Sequence, residues 1–143
     1  MRLQGKPTIL VVDDDAGIRE ILSDMLSIWG YETVTCGDGF AALDAMKGQD
    51  FDLIITDLGM PGMSGLELAS NVHETHPKLP IAMITGWGIQ LNDDEIQQKG
   101  IKSITPKPFR ISEIGRVVKE LIPRDSRTVR PPAPGKNVLP ILE

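Results

Sequence analysis

Four short stretches of this sequence end in side chains that could do chemistry together. Ile9-Leu10-Val11-Val12 runs into Asp13-Asp14-Asp15, and Leu53-Ile54-Ile55-Thr56 delivers a lone Asp57 into Leu58-Gly59-Met60-Pro61-Gly62. Ile81-Ala82-Met83-Ile84 ends in Thr85-Gly86, and Ile101-Lys102-Ser103-Ile104-Thr105 runs into Pro106-Lys107-Pro108-Phe109. Carboxylates gathered at one place repel, and burying them together raises their pKa values unless a cation compensates. Mg2+ suits such a set, because it is a hard cation held by carboxylates, carbonyl oxygen and waters, with positions left for phosphate oxygens. A carboxylate supplied with positioning and charge stabilisation can act as a nucleophile in phosphoryl transfer and form an acyl phosphate. Asp57 is the residue expected to react.

Bringing these residues together requires strands whose ends point one way. Leu53-Ile54-Ile55 is a short apolar run bounded by turn signals, which predicts a buried central strand. Thr8 to Val12 predicts another, and Tyr31 to Cys36, Ile81 to Ile84 and Ile101 to Thr105 complete five. Between them the spacing turns helical. Ile18, Ile21, Leu22, Met25 and Trp29 mark a first helix capped by Asp15 and stopped by Gly30. Asp38 to Lys47 predicts a second that ends at Gly48, and Ser64-Gly65-Leu66-Glu67 has capping-box spacing for a third that ends before Pro77. Asn92 to Lys99 predicts a short acidic fourth, and Ile111, Ile114, Val117, Val118 and Leu121 a fifth. Strand and helix alternating five times imply a parallel sheet covered on both faces. Ligands of such sheets sit outside the carboxyl ends of the strands, where these side chains fall.

The set resembles the receiver domain of two-component response regulators over roughly residues 7–122: an acidic pair after the first strand, a lone Asp after the third, Thr after the fourth and Lys-Pro after the fifth. The resemblance implies a flavodoxin-like, doubly wound α/β fold, five parallel strands in the order 2-1-3-4-5 with five helices. It implies that Asp57 accepts a phosphoryl group from a sensor histidine kinase, a histidine phosphotransfer protein or a small phosphodonor. It assigns Mg2+ to Asp13, Asp14, Asp57 and the backbone carbonyl of Gly59. Lys107 then balances charge on the transferred group, Thr85 donates its hydroxyl to a phosphoryl oxygen, and the Lys107–Pro108 peptide is cis. Signalling is expected through the face made by the fourth helix, fifth strand and fifth helix, with a homodimer as one option. Ile104 stands where the family usually has Tyr or Phe, which sets this chain apart at the step that relays the signal. Gly59 and Trp87 lack groups that could orient an attacking water, so slow intrinsic dephosphorylation is expected.

Composition narrows the alternatives. Residues 123–143 hold four of the chain's 15 basic side chains and two of its 20 acidic ones, leaving 11 and 18, net −7, in residues 1–122. An acidic body argues against direct nucleic-acid binding, which depends on neutralising phosphates. Cys36 is the only cysteine, which excludes an intrachain disulfide and fits a small core residue. No apolar run approaches membrane-spanning length and the start lacks an apolar leader core, so a cytoplasmic protein without membrane attachment is expected. Residues 1–6 read as a disordered segment, 7–122 as the domain, and 123–143, with five of 11 prolines, as a tail or linker.

Two other readings compete. A haloacid-dehalogenase-like phosphatase would use Asp13-x-Asp15, but Ala16-Gly17 follows that pair, no acidic pair follows Lys107, and Asp57 is left without a role. A receiver-like interaction module that is never phosphorylated would keep the fold alone. Whether the domain is free-standing or the receiver portion of a larger protein, such as a hybrid sensor kinase, stays open. Taken singly, most of these residues have plainer roles: an Asp as a cap, Lys107 as a charged loop residue, Thr85 as a partner for local backbone. His73 and His76 are expected on the third helix, solvated and away from the site.

Overall fold

The computed structural model describes residues 5–86 and 92–122. Its elements in chain order are β1 Thr8–Val12, α1 Ala16–Ile28, β2 Glu32–Cys36, α2 Gly39–Gly48, β3 Leu53–Asp57, α3 Gly65–Thr75, β4 Ile81–Thr85, α4 Asp93–Gln98, β5 Ile101–Pro106 and α5 Ile111–Leu121. The strands form one parallel sheet in the order β2-β1-β3-β4-β5, as expected. Trp87 and the tail 123–143 lie outside the described residues.

Side chains of a strand alternate between faces, so a strand covered on both sides must be apolar throughout. All residues of β1, β3 and β4 are buried. Ile9, Val11, Leu53, Ile55, Ala82 and Ile84 pack with Leu22 and Leu26 of α1 and Ile114 and Val118 of α5. Their alternates Leu10, Val12, Ile54, Ile81 and Met83 pack with Ala42 of α2 and Leu68, Ala69 and Val72 of α3. The edge strands β2 and β5 are less covered, and Ile104 on β5 is 37% exposed. Among the described residues no helix is long and apolar enough to cross a membrane.

The helix ends follow their local chemistry. Asp15 caps α1 by accepting from the Gly17 and Ile18 amides, and Asp38 caps α2 through Ala41. Ser64 and Glu67 form the reciprocal capping box at α3. Helix α2 ends at Gly48, as expected, and the chain turns extended at Gln49. Two details differ from the sequence reading. Tyr31 is a buried core residue just before β2. His73 is half-buried rather than solvated: its Nδ1 is covered, and Gly100, at φ +74°, leaves room for the ring where a methyl would come within 2.6 Å of Nδ1.

Candidate functional site

β1, β3 and β4 end side by side, and that alignment sets the site. Thr56 of β3 pairs with Val12 of β1, and Asp57 pairs with Ile84 of β4. Asp13 is therefore one residue beyond β1, and Thr85 is the last residue of β4. Asp57, Asp13 and Thr85 are 4%, 1% and 4% exposed, while Asp14 is open to solvent.

Backbone bonds hold these ends in place. The Asp13 amide donates to Cys36 O, the Leu58 amide to Ile84 O, and the Lys107 amide to Thr85 O. The β5–α5 turn is thereby tied to the end of β4, with the Lys107–Pro108 peptide cis as expected. Lys107 Nζ then lies 3.1 Å from Asp57 Oδ1 and 3.7 Å from Asp13 Oδ2. Asp13 Oδ1 accepts from the Asp15 amide at 2.9 Å, whereas Asp13 Oδ2 is buried with no hydrogen bond.

The electrostatics follow from this crowding. Burial pushes the Asp13 carboxyl above the usual aspartate range, and the Asp57 and Asp14 charges add to the rise. Burial alone would lower Lys107, but its hydrogen bond to Asp57 and the charges of Asp13, Asp57 and Asp14 together leave it above the usual lysine value. Asp13, Asp14 and Asp57 each offer an oxygen within 4.8 Å of the others. Two recessed carboxylates, one solvent-facing carboxylate and an orphaned oxygen make a hard-donor set that suits a divalent cation. Gly59 is exposed beside them, two residues after Asp57.

The sequence-predicted residues Asp13, Asp14, Asp57, Thr85 and Lys107 thus converge at the carboxyl end of the sheet. Asp15, expected as a cap, is one. Two supporting residues escaped sequence reasoning. Arg19 Nη1 donates to Asp13 O at 2.7 Å and so fixes the turn after β1. Gly65 sits against β3: a methyl there would lie 2.3 Å from Asp57 O. A glycine in the first turn of a helix has no propensity advantage, and that was the available signal of a close approach. Arg19, beside the core-facing Ile18, gave none.

Compared with protein families, residues 9–119 match the response regulator receiver domain. The chain belongs to this family. Receiver domains are signalling modules of two-component phosphorelays, and relatives agree with that placement. Sporulation initiation phosphotransferase F of Bacillus subtilis is 32% identical over 118 residues, covering 82% of this chain and 95% of that protein. Response regulator protein FleR of Pseudomonas aeruginosa is 34% identical over 116 residues, which is 81% of this receiver chain but only 24% of FleR. Among solved structures, the response regulator TrrA of Thermotoga maritima, in complex with Mg2+-BeF, superposes with a TM-score of 0.73 at 34% identity, covering 80% of this chain and 98% of that one.

Proposed function

We propose that this receiver domain accepts a phosphoryl group on Asp57 from a histidine of a sensor kinase or histidine phosphotransfer protein. The observation that carries the reading is the recessed Asp57 carboxylate with the Lys107 ammonium 3.1 Å away, at the end of the central strand. An Asp57 oxygen attacks phosphorus, the P–N bond to the donor imidazole breaks, and the bonding pair leaves with that nitrogen, which takes up a proton. The product is an acyl phosphate. Lys107 balances charge on the transferred oxygens, and Thr85 donates its hydroxyl to one of them. Asp13 is the weaker acceptor, because one of its oxygens is already engaged by the Asp15 amide.

Asp13, Asp14, Asp57 and the Gly59 carbonyl are the groups that would hold Mg2+. When bound, the ion supplies positive charge to the phosphoryl oxygens. The orphaned Asp13 Oδ2 supports this assignment. Charge added at Asp57 is then relayed to the α4–β5–α5 face, where a downstream protein or a second copy docks. Ile104, in the usual aromatic position, gives that relay a smaller lever. We assign residues 7–122 to the receiver and 123–143 to a tail or linker, and place the protein in the cytoplasm, acting by protein contact rather than on nucleic acid or membrane.

The test is incubation with acetyl phosphate and Mg2+, borohydride trapping and peptide mass mapping, beside an Asp57→Asn variant. Mg2+-dependent labelling of Asp57 that is lost in the variant supports the reading. Labelling at Asp13, or none in a folded protein that binds Mg2+, overturns it.

A further inference from the structure

Arg19, near the start of α1, reaches back to the strand end from which its helix departs. Its Nη1 donates to Asp13 O at 2.7 Å, and its amide donates to Asp15 O at 3.1 Å. Asp15 in turn donates its amide to Asp13 Oδ1 at 2.9 Å. Asp13, Asp15 and Arg19 therefore close a ring of three hydrogen bonds. The guanidinium also lies beside the turn after β2, where a methyl at Gly37 would be 3.4 Å from Nη1. Cys36 O, just before that turn, accepts from the Asp13 amide at 3.1 Å.

All but one of the polar atoms of Asp13 are thereby engaged: the amide by Cys36, the carbonyl by Arg19 and Oδ1 by Asp15, while Oδ2 has no hydrogen bond. Asp13 is 1% exposed, so water does not replace these partners. We infer that Arg19 is a positioning residue for the cation site: by clamping the main chain of Asp13, it keeps Oδ2 free for a divalent ion. The inference rests on Asp13 being a Mg2+ ligand. A guanidinium close to a cation site would weaken binding if its charge were what counted. The charges that bear on the Asp13 carboxyl are those of Asp57, Lys107 and Asp14. Arg19 grips the carbonyl instead, so its hold on the geometry outweighs repulsion. Groups that orient a metal ligand without touching the metal commonly carry a large share of its affinity.

The experiment measures Mg2+ affinity by isothermal titration calorimetry for wild type, Arg19→Met, Arg19→Lys, Asp13→Asn and the double variant Asp13→Asn/Arg19→Met, each first shown to be folded by circular dichroism. Arg19→Met keeps the aliphatic stem but not the donor, and should bind Mg2+ about tenfold more weakly. Should it fail to fold, Arg19→Gln takes its place in the cycle, with an amide too short to reach Asp13 O. Arg19→Lys should keep most of the affinity, because a bond to one carbonyl needs a donor rather than a fork. With Asn at position 13, removing Arg19 should change little, since the oxygen that it positions is gone. The same loss in both backgrounds would make Arg19 a general support of the fold and overturn the inference. Unchanged or tighter binding by Arg19→Met would overturn it too, as would a lysine variant no better than the methionine one. Asp13→Asn binding Mg2+ as tightly as wild type would instead remove the metal assignment beneath it.

Discussion

Lys107 Nζ faces two carboxylates, Asp57 at the end of β3 at 3.1 Å and Asp13 just after β1 at 3.7 Å, so one ammonium answers both charges. Lysine and a divalent ion therefore compete for the same negative field. Coulomb attraction over such distances is on the order of 1 kcal/mol even in water. Lys107→Met should bind Mg2+ about fivefold more tightly by isothermal titration calorimetry. Weaker binding would mean that Lys107 shapes the carboxylates rather than competing for them.

Asp13 makes the metal-free protein sensitive to pH. Its folded-state pKa is raised, mainly by burial, so the folded protein holds this proton more tightly than the unfolded chain. The contribution to stability is full below the ordinary aspartate value and is lost as pH rises through the raised value. At neutral pH the ionised Asp13 is a cost. Asp13→Asn should stabilise the metal-free protein by about 1 kcal/mol, roughly 3–6 °C in Tm, and should abolish most of the Mg2+-dependent rise in Tm. Calorimetry from pH 4 to 8 with and without Mg2+ reads both effects. A variant that loses stability at pH 7 would contradict this account.

Gly65 marks where α3 meets the end of β3. A methyl there would lie 2.3 Å from Asp57 O and 2.9 Å from Leu58 Cα, and neither backbone atom can swing aside. Gly65→Ala should cost about 2–3 kcal/mol in urea unfolding with an unchanged m value. It should also slow acetyl phosphate labelling, because relief of the clash moves the Asp57 backbone.

The acyl phosphate on Asp57 should be long-lived. Gly59 offers no group to orient or deprotonate water, and a side chain there would meet open space. The expected half-life is on the order of minutes or longer, measured by loss of radioactive phosphate. Gly59→Asn should shorten it severalfold, since its amide has room to hold a water. A wild-type half-life of seconds would point to a base elsewhere.

The sheet was legible because β1, β3 and β4 are covered on both faces and so read as unbroken apolar runs. The site was legible because its residues terminate those runs. Gly65 and Arg19 were not, because each acts through backbone atoms brought close only by tertiary packing. His73 was misjudged for a related reason. A lone histidine on a helix reads as solvated, and the turn that covers it, at Gly100, lies 27 residues further along the chain.

Asp57 stands on the innermost strand, and both neighbours come from far along the chain: Leu53 pairs with Ile9, 44 residues earlier, and Ile54 with Ile81, 27 residues later. Lys107 arrives only with the turn after β5. No fragment of the domain holds the site, so a chain emerging from the ribosome acquires it only once its last strand has joined. Whatever chemistry Asp57 carries therefore waits on all five strands, because Lys107 meets the carboxylates only when the last of them has paired.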